Sequence, residues 1–362
     1  MTSRARDLGI HLGTLPPGPH DAITDVPGVR VGHATVRDGA ARTGVTVVVP
    51  HADNLWTEPV FAGVHRLNGN GEMTGLPWLE EAGQLLSPVA ITNTHSVGVV
   101  RDALVAIEVE ELPAGRETWA LPVVAETWDG VLNDIDGFHV TAAHVREAYA
   151  AASAGPVEEG SVGGGTGMVC HRFKGGIGTA SRVLPADAGG WTVGVLVQAN
   201  HGRRERLAVD GVPVGREIGT DVVPAPLTPE PGAGSIIVVV ATDAPLLPDQ
   251  CRRLAQRAGL GIARTGGVGE NSSGDLFLAF STGNRGMAAG LIGDRPPFTA
   301  QVATVAGTYL TGLFDAVVEA TEEAIVNCLL AAMTTTGANG VTAHALPHDL
   351  LLEAMARYAR RP

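Results

Sequence analysis

Cysteine is scarce: Cys170, Cys251 and Cys328 lie far apart and form no CxxC pair. An odd, dispersed set builds no disulfide framework, which suggests a reducing compartment. Aromatic residues make up 4% of the chain and charged residues 17%, against 44% hydrophobic. That balance excludes a disordered chain and describes a well-cored protein. No apolar run approaches the about 20 residues of a bilayer span. The stretch from Met1 to Leu15 carries Arg4, Arg6 and Asp7 but no apolar core of signal-peptide length. We therefore expect a cytoplasmic protein with no membrane partner. Basic residues are also few, 25 against 38 acidic ones, for a net charge of -13. A nucleic-acid partner as the main task is excluded, because such proteins need a basic face. The pairs Arg203-Arg204 and Arg252-Arg253 are expected on the solvated surface.

Cofactor signatures are missing too. No GxxxxGK[ST] and no complete GxGxxG occurs, so nucleotide binding has little support. The twelve histidines show no ligand spacing. His344 and His348 are interrupted by Pro347 and lack the glutamate of an HExxH helix. The expectation is no metal and no cofactor.

What is present is a layered α/β pattern. Gly44 to Pro50 is apolar on both faces, as a central strand is. A strand is also expected within Ala22 to Val36, after a Pro-Gly turn. Val89 to Thr92 and Leu121 to Glu126 read as further strands, with a helix from Val97 to Ile107 between them and another over Ala142 to Ala152. Between Val60 and Gly75, glycines and Asn68 and Asn70 favour tight loops. The glycines of Gly160 to Gly178 suit either amide donation to an oxyanion or close packing of strands. Trp191 to Gly202 is a strand ending in Asn200, whose side chain either donates to an oxyanion or closes a turn. Glu126, at a strand end, is either an anion for a substrate amine or a solvated, turn-capping carboxylate.

Towards the C-terminus, Asp243 is expected to cap a helix that has Pro245 in its first turn and ends at Gly259. Asn271 to Ser281 is a turn entering a strand, with Ser272, Ser273 and Asp275 at its start. Phe314 to Met333 and Leu350 to Tyr358 have helical spacing, and Glu319, Glu322 and Glu323 are expected on a solvent face.

The chain centres on the bond between Gly234 and Ser235. A connector from Val222 to Gly232, broken by Pro224, Pro226, Pro229 and Pro231, leads into it, and the β-branched strand Ile236 to Val240 follows. Glycine permits a strained carbonyl geometry within reach of the Ser235 hydroxyl. Attack on that carbonyl converts the peptide to an ester, and hydrolysis leaves a second chain starting at Ser235. Its new α-amine, with a reference pKa of about 7.7 to 8.0, can act as general base for its own hydroxyl.

Nearly the whole chain resembles the self-processing L-aminopeptidase/D-esterase family, which includes the β-peptidyl aminopeptidases. The resemblance is carried by Asp25-Val-Pro-Gly-Val-Arg-Val-Gly-His33, Gly63-Val-His-Arg-Leu-Asn-Gly-Asn-Gly-Glu-Met-Thr-Gly75, Thr92-Asn-Thr-His-Ser-Val-Gly98, Glu126-Thr-Trp-Asp-Gly130, Gly160-Ser-Val-Gly-Gly-Gly-Thr-Gly-Met168, Gln198-Ala-Asn-His-Gly202, Gly234-Ser-Ile-Ile-Val-Val-Val-Ala-Thr-Asp-Ala-Pro-Leu246 and Ser273-Gly-Asp-Leu-Phe-Leu-Ala-Phe-Ser281. Their order and spacing make the set specific.

The resemblance implies an α/β fold: a four-layer αββα sandwich like that of N-terminal-nucleophile hydrolases but with different connectivity. It implies one domain over residues 1-362, cut into 1-234 and 235-362. Ser235 matches the nucleophile, Asn200 the oxyanion side chain, Ser273 and Asp275 the pair bonded around the nucleophile, and Glu126 the carboxylate for the substrate amine. Some members have tyrosine in place of Trp128 and glutamate in place of Asp275, differences that bear on substrate preference more than reaction type. The implied activity is removal of N-terminal residues from short peptides, amides or esters, with D-amino-acid or β-peptide substrates included, by a tetramer of two-chain protomers. An acyltransferase of the ornithine-acetyltransferase kind is disfavoured by serine at the cut, where that family has threonine. A non-catalytic scaffold of the same fold is disfavoured by the full catalytic set.

Overall fold

The computed structural model describes residues 3–112, 117, 119–226, 234–287 and 299–358. The chain lays down Arg30–Val36 (β1), Thr43–Val49 (β2), Val60–Gly69 (β3), Leu76–Ala82 (α1), Gln84–Leu85 (β4), Val89–Asn93 (β5), Val97–Glu111 (α2), Val123–Thr127 (β6) and Ala142–Ala150 (α3). A hairpin of Val169–Cys170 (β7) and Phe173–Lys174 (β8) leads into Gly176–Val183 (β9) and Thr192–Asn200 (β10). The short helix Val214–Glu217 (α4), Ser235–Thr242 (β11), Pro248–Arg264 (α5), Gly274–Ser281 (β12), Leu310–Ala331 (α6) and His348–Tyr358 (α7) follow.

One sheet has the order β1-β2-β5-β6 and the other β4-β3-β12-β11-β10-β9. The β5–β6 and β11–β12 pairs are parallel. The period-two alternation of the strands builds the layers. Along β11, Ile237, Val239 and Ala241 join Ile91 and Val123 in the core between the sheets. Ile236, Val238 and Val240 instead pack with Leu254 of α5 and Ala324 of α6. Val45, Val47 and Val49 of β2 meet Val100 and Leu104 of α2 and Val145 of α3. The result is helices, sheet, sheet, helices: the expected αββα sandwich. Full burial of each such side chain favours folding by about 1.5–3 kcal/mol.

Several local expectations give way to packing. Residues 60–69 form the strand β3 rather than tight loops. A Cβ at Gly63 would stand 2.4 Å from the backbone nitrogen of Arg252 and 2.6 Å from the carbonyl oxygen of Pro248, so this glycine lets α5 lie directly on the sheet. The helix after β11 starts at Pro248 with Leu247 as its cap, and it continues through Gly259 to Arg264. Asp243 instead accepts the Thr192 backbone N–H at 2.8 Å, joining the ends of β11 and β10.

The α6 carboxylates do not face solvent; Glu319, Glu322 and Glu323 are buried. Arg182, itself fully buried, pairs with Glu319 at 3.0 Å and Glu323 at 2.6 Å. Arg6 reaches Glu323 at 2.9 Å, and Arg264 reaches Glu322 at 3.1 Å. Arg204 is likewise buried, with its guanidinium 3.3 Å from the Phe173 ring centroid and bonds to the carbonyls of His171 and Val223. Arg252 stays exposed. Residues 227–232 of the expected connector lie outside the described residues.

Candidate active site

Three strands end or begin at one point. Ser235, the first residue of β11, is paired in register with Asn200, the last of β10, and with Gly274, the first of β12. The Ser235 hydroxyl donates to the carbonyl oxygen of Gly234 at 2.7 Å. The Gly274 N–H approaches Ser235 Oγ at 3.3 Å and that same carbonyl oxygen at 3.4 Å. Gly234 is needed for steric reasons, since a Cβ there would meet the Asn200 carbonyl oxygen at 2.4 Å and His201 Cα at 2.9 Å.

Asn200 is held from two sides. Its Oδ1 accepts the Val169 N–H at 2.8 Å, and its Nδ2 donates to the Trp128 carbonyl at 2.8 Å. A primary amide nitrogen has two protons, so one remains for another acceptor. Trp128 thus acts on Asn200 through its backbone. Its half-buried indole packs against Gly130, where a Cβ would come within 2.4 Å of the ring.

At the start of β12, Oγ of the preceding Ser273 donates to Asp275 Oδ1 at 2.6 Å and Asn68 Nδ2 donates to Oδ2 at 3.2 Å. Burial raises the Asp275 carboxyl above its ordinary pKa, while the hydrogen bonds from Ser273, Asn68 and the Ile236 backbone oppose the shift. The group joins β12 to both neighbouring strands.

Glu126, near the end of β6, is buried rather than solvated. The Glu72 N–H donates to its Oε1 at 2.9 Å and the Thr94 hydroxyl to its Oε2. Burial raises its pKa, and these two donors lower it in part. Among the described residues no Lys or Arg pairs with it. A Cβ on Gly71 would lie 3.2 Å from Glu126 Oε1 and 3.2 Å from Gly274 Cα, so the carboxylate stands one glycine away from the β12 residue that touches Ser235.

The structure therefore brings Gly234, Ser235, Asn200, Ser273, Asp275 and Glu126 to one end of the sandwich, with Trp128 behind Asn200. Sequence reasoning had assigned no role to Thr94, Gly71 or Gly274. In the sequence, the Asn68-Gly-Asn-Gly-Glu72 run signals only tight loops. The Gly160 to Gly178 glycines serve strand packing: a Cβ on Gly165 would meet the Ile177 nitrogen at 2.4 Å. Buried Lys174 binds the carbonyls of Gly165 and Gly175 at 3.1 and 2.7 Å.

A profile of peptidase family S58 matches residues 21–343. The chain belongs to peptidase family S58. This S58 peptidase is 48% identical to the beta-peptidyl aminopeptidase BapA of Sphingosinicella microcystinivorans, over 99% of its own length and 93% of the relative's. The solved structure of a Burkholderia sp. beta-aminopeptidase matches it with a TM-score of 0.94 at 57% identity, covering 99% of this chain and 100% of the other. The L-aminopeptidase D-Ala-esterase/amidase of Ochrobactrum anthropi, described as a prototype for the serine aminopeptidases and a variant of the Ntn hydrolase fold, matches with a TM-score of 0.89 at 44% identity and 99% coverage of both chains. The expected fold and class hold: the S58 peptidase is a serine aminopeptidase on an Ntn-hydrolase-like scaffold. Among its described residues no helix is long and apolar enough to cross a membrane.

Proposed function

We propose that this S58 peptidase cuts itself between Gly234 and Ser235 and that Ser235 then releases N-terminal residues from short peptides, amides or esters. The observation that carries the proposal is the 2.7 Å contact of the Ser235 hydroxyl with the Gly234 carbonyl oxygen at the head of a buried strand. In the uncut chain, Ser235 Oγ attacks the Gly234 carbonyl carbon and the Gly274 N–H stabilises the oxyanion. The C–N bond breaks as the proton given up by the hydroxyl passes to the Ser235 nitrogen, and water cleaves the resulting ester to a Gly234 carboxylate and a Ser235 with free hydroxyl and amine. Because β10 and β3 lie before the cut and pair with β11 and β12 after it, the two pieces, 1-234 and 235-362, stay in one domain.

In the mature enzyme the α-amine of Ser235 takes the proton from its own hydroxyl, which attacks the substrate carbonyl. Glu126 holds the substrate ammonium. The remaining Asn200 Nδ2 proton stabilises the tetrahedral oxyanion, an effect worth about 3–4 kcal/mol. The amine or alcohol product leaves, and water hydrolyses the acyl-enzyme. Ser273 and Asp275 hold the start of β12, and with it the Gly274 N–H, against Ser235. Trp128 borders the side-chain space and tunes substrate preference.

The names of the 57% and 48% identical relatives favour β-aminoacyl substrates. The family resemblance further supports a tetramer of two-chain protomers, and the few, dispersed cysteines support a cytoplasmic location. The test is the intact denatured mass of purified protein, with N-terminal sequencing, followed by turnover of β-aminoacyl and L-α-aminoacyl p-nitroanilides. Two chains, the smaller beginning at Ser235, are expected. A single uncut chain with full activity would overturn the mechanism.

A further inference from the structure

Beneath the end of β10, next to the strand ends that carry Asn200 and Ser235, three side chains of matched chemistry converge. Cys170 closes β7, His171 follows it in the hairpin, and His201 follows Asn200. The backbone N–H of His171 donates to the carbonyl of His201 at 2.7 Å, pinning the two segments together. One donor atom from each side chain lies within 4.8 Å of the others, and Cys170 Sγ is 3.9 Å from His201 Nδ1. All three residues are buried, at 0%, 0% and 6% exposure. The spacing of these residues in the sequence did not suggest a ligand set; sheet pairing creates it.

We propose that Cys170, His171 and His201 form a site for one borderline divalent metal ion, with Zn²⁺ the ion this donor set suits best.

The imidazoles carry much of the argument. His171 Nδ1 lies 3.0 Å from the carbonyl oxygen of Arg203, a pure acceptor, so Nδ1 holds the proton and Nε2 presents a lone pair. That Nε2 is buried without a hydrogen-bond partner. Unsatisfied buried acceptors are costly. An outer carbonyl that fixes the tautomer of an otherwise free imidazole is also the usual support of a metal-binding histidine.

The Cys170–His201 distance agrees with a tetrahedral ion. Bonds of about 2.3 Å to sulfur and about 2.0–2.1 Å to nitrogen place the two donors about 3.5 Å apart. The Cys170–His201 pair is within a few tenths of an ångström of that spacing. The surroundings are shaped to the His171 ring: a Cβ on Gly202, at φ 88°, would meet its Cε1 at 2.4 Å. His171 itself has a φ of 47°, a left-handed conformation uncommon outside glycine.

Thiolate with two imidazoles is a borderline-soft set that suits Zn²⁺ and leaves a fourth position open. His201 also lines the crevice formed with Gly267, Glu270, Ser273 and Asp275, which offers an entry path. On binding, the Cys170 S–H bond breaks, its proton passes to solvent, and an Sγ–metal bond forms with no change of oxidation state. The ion would tie the β7 hairpin to the residue following Asn200.

The test uses the full chain, freed of metal by chelator and kept reduced without oxygen. Titration with Co²⁺, the spectroscopic substitute, should give one ion per chain with a thiolate-to-cobalt charge-transfer band that one equivalent of Zn²⁺ removes. Zn²⁺ should also raise the melting temperature in a concentration-dependent way. Cys170→Ser should abolish the band and weaken Zn²⁺ by more than about tenfold, the lower end of the cost of losing even an outer partner. Cys328→Ser, at another buried thiol, should keep both. If circular dichroism shows that Cys170→Ser does not fold, His171→Asn takes its place and should weaken both ions. No stoichiometric band in the wild type, or a band and Zn²⁺ affinity unchanged in the folded variant, would overturn the proposal. These readouts require neither self-cleavage nor turnover, so they stand apart from the proposed peptidase mechanism.

Discussion

Asn200 and Ser235 face one another as the last residue of β10 and the first of β11, in one antiparallel register. Directly opposed residues of an antiparallel pair put their side chains on one face of the sheet, and the contacts to Val169 and Trp128 remove the Asn200 amide's freedom to turn. Removing the amide with Asn200→Ala should lower kcat by about 10²–10³ with a smaller change in KM, because the donor acts on charge that develops only in the transition state. Steady-state kinetics on the processed fraction checks this; a change confined to KM would assign Asn200 to ground-state binding.

Gly234→Ala tests the approach to the cut. The added Cβ would collide with the Asn200 carbonyl and His201 Cα, both backbone atoms that cannot swing aside. The scissile carbonyl must then shift, and a displacement of about 1 Å can cost about 10²-fold in rate. The time course of the two-chain form by gel and mass spectrometry should slow to that extent. Processing at the wild-type rate would show that the glycine serves the fold alone.

Glu126→Gln keeps the shape but removes the charge; its amide oxygen can still accept from the Glu72 N–H, while its NH₂ can donate to the Thr94 hydroxyl oxygen. For substrates with a free N-terminal amine, kcat/KM should fall by about 10- to 100-fold, as loss of a charge-assisted hydrogen bond predicts. The wild-type pH profile carries a second signature. Burial raises the Glu126 pKa, and only the ionised carboxylate binds an ammonium. As the pH falls, kcat/KM should therefore decline at a pH above the ordinary glutamate range, and this limb should disappear in Glu126→Gln. An identical acid limb in both proteins would assign it to another group.

Arg182→Met tests the buried ion network. Arg182 is the shared partner of Glu319 and Glu323, and its removal leaves buried carboxylates with only part of their compensation. The expected loss is about 3–5 kcal/mol of stability, read as a lower urea midpoint at unchanged slope. A midpoint within error of the wild type would mean that Arg6 and the backbone donors suffice.

Much of the fold was legible because its signals are local. Strands β2, β5, β6, β10, β11 and β12 show as runs of β-branched and apolar residues, α2, α6 and α7 as helical periodicity, and α3 as an alanine-rich composition. The failures share a cause. Residues 60–69 read as loop because their glycines look like turn residues, yet Gly63 answers to the backbone of α5, far along the chain. Glu319 and Glu323 read as solvent-facing because Arg6 and Arg182, which neutralise them, belong to other segments. Arg204 read as surface for the same reason, its partners being the Phe173 ring and distant carbonyls.

By itself the sequence determined the strand and helix inventory, the family resemblance and the Gly234-Ser235 bond at the head of a core strand, since all of these depend on the order of neighbouring residues. Only the tertiary structure decided that Glu126 is buried with no Lys or Arg partner among the described residues, that Asn200 is clamped between Val169 and Trp128, and that Cys170, His171 and His201 converge. Burial and hydrogen-bond partners are set by which strands pair across the sheet, and that pairing joins segments whose separation along the chain carries no local signal.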